Sequence, residues 1–170
     1  MARDSWSVSG YKKMISPQIL CAAVMAMNMP NADFACEHMS HLIDASAKYK
    51  IKPEVLVSLI HEESRWKPHV VSRRGACGLT QILPKYTRPY TSCAKLKDPL
   101  TSIALGAKTL SVWVRTYGKG RYHKGLCGYN GGYRCKELTS PKKYASRVLA
   151  RAARILREAK KQQALRELRN

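Results

Sequence analysis

PEVLVSLIHEESRWKPHVVSRRGACGLTQILP, residues 53–84, is the stretch on which the reading of the chain turns. Pro53 suits the first turn of a helix, where its missing N–H and fixed φ do no harm. The helix runs through Ser64 or Trp66 until Pro68 forbids continuation. At roughly 100° per residue, Val55, Leu56, Leu59 and Ile60 define an apolar face. Glu63 falls near the centre of that face and Glu62 at its edge. A carboxylate aimed into an apolar surface is costly to ionise, so its pKa rises. A general acid working at neutral pH needs that rise. Glu63 rather than Glu62 is therefore the candidate acid; the alternative is that it ends the helix in solvent and does nothing. Gly75, Gly78 and Pro84 then punctuate an irregular stretch.

Outward from there the pattern stays helical. Residues 36–50 carry Met39, Leu42, Ile43 and Ala47 at helical spacing. Asp98-Pro99 is an N-cap with proline in the first turn. It opens a long helix with Leu100, Ile103, Ala104, Ala107, Leu110, Val114 and Tyr117 on one side, ended by Gly118 and Gly120. A glycine-rich turn is expected at 128–132. Residues 141–169 read as a long basic amphipathic helix with Tyr144, Val148, Ala152, Ile155 and Ala159 as its packed stripe. No strand pattern of length and no repeat is present, so the fold class is all-α. Three parts are expected: an apolar and basic extension over 1–35, a catalytic domain over 36–140, and the basic helix 141–170 packing on it. The extension places Arg3, Lys12 and Lys13 before an apolar stretch, Ile15 to Met29, too short for a membrane span. It resembles a signal-peptide core with Ala35 as a cleavage point, but Asp33 fits that site poorly. A retained helix that packs or anchors is the favoured reading.

Charge is the outlier of the composition. The 170 residues hold 31 Lys and Arg against 11 Asp and Glu, a net charge of +20. Such a chain is drawn to polyanions, whether nucleic acid, an anionic membrane surface or cell-wall polymer. From Lys142 to Arg169 ten Lys or Arg face only Glu158 and Glu167, and long cationic helices bind DNA phosphates or membrane surfaces; the plainer alternative is a solvated basic face. The six cysteines, Cys21, Cys36, Cys77, Cys93, Cys127 and Cys135, form no CxxC pair, which argues against a zinc knuckle. An even number at wide spacing permits disulfides and fits an extracytoplasmic or virion setting; free buried thiols are the alternative. The histidines lack zincin spacing, and Cys36, His38 and His41 are a poor candidate metal set.

Residues 63–84 resemble the first signature of the Slt-type lytic transglycosylases: Glu-Ser, an aromatic and Pro, then Ser-x-x-Gly-Ala-x-Gly-Leu-x-Gln-Ile-x-Pro. Gly128-Tyr129-Asn130-Gly131-Gly132 is similar to the second, Ala-Tyr-Asn-Ala-Gly, and Tyr144 through Val148-Leu149-Ala150 to the third. The three stand in the family's order and cover about residues 36–152. The resemblance implies a lysozyme-like α-helical fold. It implies that Glu63 is the catalytic acid and that Ser72 hydrogen-bonds near the acid and the substrate's N-acetyl group. Gln81 would line the saccharide cleft, and Tyr129, Asn130 and Tyr144 would contact substrate. Each has a plainer reading: Ser72 as a turn serine, Gln81 as a glutamine bonded to backbone, Tyr129 as a packed tyrosine, Asn130 as a left-handed turn residue. The chain departs from the pattern at Thr80 and Leu83, where Met is common, and at Ser140, often Glu. Gly128 and Gly131 replace Ala and should loosen the turn. Cys127 and Cys135 flank that turn closely enough for a disulfide to stiffen it, and Cys77 and Cys93 bracket the first box similarly; sequence does not give the connectivity.

Hydrolytic glycosidases generally use two carboxylates. Residues 64–97 hold no Asp or Glu, and after Asp98 comes only Glu137 before the last helix. That scarcity suits the one-carboxylate chemistry the resemblance implies: non-hydrolytic cleavage of peptidoglycan between MurNAc and GlcNAc, giving 1,6-anhydro-MurNAc, with neither cofactor nor metal. Two rivals stand beside it: a goose-type hydrolase on the same fold, and a non-catalytic DNA-binding or structural virion protein. The expected setting is a phage particle that opens the wall during genome ejection, alongside other virion proteins. The alternative is periplasmic or secreted action with a secretion or conjugation machine.

Overall fold

The computed structural model of the chain describes residues 15–87 and 89–169; Arg3, Lys12 and Lys13 lie outside the described residues. Side-chain caps set three of the described helix starts, at Ser16, Ser92 and Asp98. Helix α1 (Pro17–Ala26) begins with proline at its first turn and Ser16 Oγ accepting from the Ile19 amide. Helices α2 (Ala32–Glu37) and α3 (Met39–Tyr49) follow, and α3 ends with Lys50 in the left-handed region. Helix α4 (Pro53–Ser64) stops short of Pro68 because Arg65 and Trp66 both take positive φ, which turns the Trp66 ring back into the core. The Arg65 carbonyl accepts from Asn31 Nδ2 at 2.7 Å, which pins this turn from the loop ahead of α2.

Between α4 and the next helix, residues 67–83 are irregular, with isolated antiparallel bridges joining Val71 to Cys77 and Cys77 to Ile82, and a 3-10 turn follows at Pro84–Tyr86. Short α5 (Cys93–Leu96) leads to α6 (Pro99–Val112), capped by Asp98, whose carboxylate accepts from the Thr101 amide at 2.8 Å. α6 runs directly into a π-helical turn, Trp113–Tyr117. Helix α7 (Tyr122–Gly131), a 3-10 turn (Gly132–Glu137) and α8 (Thr139–Glu167) complete the chain. Among the described residues no helix is long and apolar enough to cross a membrane.

α8 is the spine, packing on α7, α4 and α1. Its stripe is buried as the spacing requires: Tyr144, Val148, Ala152, Ile155 and Ala159 all face inward. α4 is enclosed on all sides rather than one, since Val55, Leu56, Val57, Ser58, Leu59 and Ile60 are all buried. Residues read as an N-terminal extension belong to this same core: Ile15, Leu20, Val24 and Met29 share it with α4 and α8, while Ile19 and Ala23 pack on Ala159. The Cys21–Cys36 disulfide ties α1 to α2 across Ala35, the poorly matching candidate cleavage point.

The expected glycine-rich turn at 128–132 is corrected by the structure. Residues 128–131 continue α7, and the chain turns only at Gly132. The glycines serve close approach instead. A Cβ on Gly125 would overlap Val114, on Gly128 the Trp113 ring, and on Gly131 the Pro141 ring. Lacking side chains, they let α7 lie against the π turn and the start of α8.

Candidate active site

Glu63 lies on the last turn of α4, where the helix leaves the core, and is partly buried. Tyr144, one turn into the buried stripe of α8, donates its hydroxyl to Glu63 Oε1 at 2.6 Å. Burial pushes the Glu63 carboxyl up to about 7; the Tyr144 hydrogen bond opposes that and the Glu62 charge adds to it. The phenols of Tyr144 and Tyr129 sit well above their ordinary value, first from burial and then from the facing Glu63 carboxylate. Both therefore stay protonated.

Tyr129 on α7 donates to the Thr80 carbonyl at 2.7 Å, which joins α7 to the irregular segment. Thr80 is fully buried and doubly fixed to α6. Ser102 Oγ accepts from its amide at 3.1 Å, and its Oγ1 donates to the Ser102 carbonyl at 2.9 Å. The Thr80 methyl fills the space above Gly106. So the residue standing where Met is common is the bolt that locks this segment to the core. Gly78, two residues earlier, has φ +78°, and any Cβ there would collide with the Leu96 carbonyl. Cys77–Cys93 ties the segment to α5, and Cys127–Cys135 ties α7 to the following 3-10 turn.

The other expected site residues fall around this centre with different commitments. Gln81 adopts a left-handed backbone (φ +51°), and its Nε2 donates to the carbonyls of Val70 and Gly78 at 3.0 and 2.9 Å. Ser72 Oγ accepts from the Ala76 amide at 3.0 Å, closing a turn. Asn130 is exposed and helical, not a left-handed turn residue. The geometry thus gathers Glu63, Tyr144 and Tyr129 directly, with Ser72 and Gln81 on the segment that Tyr129 anchors. Cys36 is bonded to Cys21, and His38 Nδ1 lies 2.8 Å from the Phe34 carbonyl, so the weak Cys36, His38 and His41 metal set has lost its thiolate.

The sequence reading passed over Glu62 and its partners. Arg147 Nε lies 2.7 Å from Glu62 Oε1 and Arg151 Nη1 2.8 Å from Oε2. Burial alone would raise the Glu62 carboxyl, but the arginine hydrogen bonds outweigh it and hold the group below its ordinary range. The available signal was positional: Arg147 and Arg151 stand three and seven residues after Tyr144, at the edge of the buried stripe.

Three comparisons bear on this site. The family model for the transglycosylase SLT domain matches residues 40–148. An endo-type membrane-bound lytic murein transglycosylase A of Klebsiella pneumoniae is 33% identical over 78 residues, covering 40% of this chain and 38% of the relative. A transglycosylase of Enterobacteria phage PRD1 is 32% identical over 88 residues, covering 52% of this chain and 32% of the relative. The chain thus spans about a third of the length of these relatives. In structure it is similar to the lytic transglycosylase Slt of Pseudomonas aeruginosa, with a TM-score of 0.63 at 16% identity, covering 85% of this chain and 31% of that one. At that identity the likeness shows a shared helical fold.

Proposed function

The chain belongs to the transglycosylase SLT domain family, and on that premise we propose that it is a peptidoglycan lytic transglycosylase with Glu63 as both acid and base. The observation that carries this is the Glu63–Tyr144 pair: a carboxyl near neutrality, hydrogen-bonded at 2.6 Å by a phenol that stays protonated. The neighbouring carboxylate, Glu62, has each oxygen held by an arginine and is not available as a nucleophile or base. One working carboxyl favours lyase over hydrolase chemistry.

Glu63 in its protonated form donates to the glycosidic oxygen between MurNAc and GlcNAc. The C–O bond breaks, and the substrate's own N-acetyl oxygen shields the cationic carbon. The resulting Glu63 carboxylate then takes the proton of the C6 hydroxyl, whose oxygen closes on that carbon to form the 1,6-anhydro ring. Glu63 ends the cycle protonated, and no water is consumed. A pKa close to the working pH serves both halves of such a cycle. Tyr144 orients the carboxyl. Tyr129 holds the segment carrying Ser72 and Gln81 against α7; the Ser72 hydroxyl and the Gln81 carbonyl are the groups we assign to the N-acetyl and saccharide contacts, with Asn130 at the rim.

The setting we favour is a phage particle that opens the wall during genome ejection, supported by the similarity to the phage PRD1 protein and by the +20 charge. Contact with DNA or anionic membrane through exposed cations of α8 is consistent with that charge. The function is tested by incubating purified peptidoglycan with wild type and Glu63→Gln and identifying soluble products by mass spectrometry. Anhydro-muropeptides from wild type and a loss of about 10²-fold or more in Glu63→Gln are expected. Equal release by both would remove Glu63 from the chemistry.

A further inference from the structure

Three ties join the last two turns of α4 to α8. Ser58 Oγ donates to the Val148 carbonyl at 2.7 Å, Arg147 and Arg151 grip Glu62, and Tyr144 reaches Glu63. Ser58 and Glu62 stand one turn apart on α4, and Tyr144, Arg147, Val148 and Arg151 share one side of α8. The Glu62 side chain is only 15% exposed, and the two arginines bind opposite oxygens, so it has no freedom to swing. A slide of one residue between the helices, about 1.5 Å, would break the 2.6 Å hydrogen bond to Glu63.

Charge gives this cluster a second consequence. Glu62 adjoins Glu63 in sequence and opposes its ionisation. The other groups around the pair are His61 on α4, Arg65 just beyond it, Tyr129 on α7 and Tyr144 on α8. Burial and then Arg151 keep His61 below its ordinary pKa, so it adds little positive charge near neutrality. Arg147 and Arg151, each paired with one oxygen of Glu62, are the cations placed to offset its charge.

We propose that Glu62, Arg147 and Arg151 form a positioning cluster that fixes the register of α4 on α8 and balances the charge beside Glu63, so that one carboxyl can both give and take a proton. This rests on the reading of Glu63 as the acid and base. None of the three touches the reacting atoms. Without the arginines Glu63 would stay protonated too firmly to act as base; without Glu62 two unbalanced cations would hold it ionised and spoil it as acid.

The test follows the Glu63 carboxyl carbon by NMR titration in wild type, Glu62→Gln, Arg147→Met and Arg151→Met, with the pH profile of kcat/KM on glycan strands measured in parallel. Glu62→Gln is expected to move the Glu63 midpoint down and each arginine variant to move it up, by about half a pH unit or more. The conservative Arg151→Lys should restore most of the shift. The pH profiles should move in the same opposite directions. Midpoints unchanged from wild type, or displaced in the same direction by both classes of variant, would overturn the proposal and leave a merely structural tie. Arg147, whose side chain is 56% exposed, is expected to tolerate replacement, so Arg147→Met keeps the test open even where Arg151→Met fails to fold. The titration does not depend on turnover: opposite shifts in a wild type that cuts nothing would sustain the cluster and sink the enzymatic reading instead.

Discussion

Glu63 is a strained choice for the protein and a useful one for the reaction. Its carboxyl lies near 7 in the folded chain against an ordinary 4.5, so the folded state holds a proton the unfolded chain has lost between those values. Stability is therefore fully present below about 4.5 and falls as pH rises through about 7, by about 3 kcal/mol at the limit. Glu63→Gln removes that slope. Unfolding in urea from acid to mildly alkaline pH should show the variant gaining on wild type as pH rises, by about 1–3 kcal/mol above neutrality, while its cleavage activity is lost. Parallel curves would mean that the carboxyl is better solvated than its surroundings suggest. Glu63 was legible as the candidate acid because its own helix supplies the apolar face that raises it. The family resemblance singled out Tyr144, but as a substrate contact rather than as the hydrogen-bond partner of Glu63, and the Glu62 arginines came from neither reading, since both pairings exist only once α8 crosses α4.

Helices α3, α4, α6 and α8 were readable from periodicity and caps, as Asp98-Pro99 shows for α6 and the Tyr144 to Ala159 stripe for α8. α7 was not. Glycine marks turns more often than helices, and nothing local tells a turn glycine from one that lets two helices touch. The distinction is tertiary: the Cβ position of Gly128 is taken by Trp113, which the π turn at the end of α6 presents. Gly128→Ala is accordingly expected to destabilise the fold by about 1–3 kcal/mol, although alanine is the better helix former; thermal unfolding measures it. An unchanged or higher Tm would restore the turn reading. Residues 15–35 pose a similar ambiguity: an apolar run reads alike whether it leads to a membrane or to a core, and it is tertiary packing, of Ile19 and Ala23 on Ala159 and of Ile15, Leu20, Val24 and Met29 in the main core, that separates the two readings.

As a whole molecule the chain sets the Glu63 site, among the described residues, in a strongly cationic protein. Among the described residues exposed Lys and Arg lie on the loops as well as on α8. Cations so distributed are expected to act through long-range attraction to an anionic target, which salt screens. Retention on purified sacculi should weaken steeply as salt rises from about 0.05 to about 0.5 M, whereas binding to a neutral chitooligosaccharide should hardly change; equal salt dependence for both would place the cations inside the saccharide site. The central claim, that one carboxyl performs the whole cycle without water, is tested most directly by cleaving peptidoglycan in H2(18)O and weighing the new MurNAc ends. The account expects anhydro ends carrying no heavy oxygen. Reducing ends that carry one heavy oxygen would contradict it and show a hydrolase on this fold.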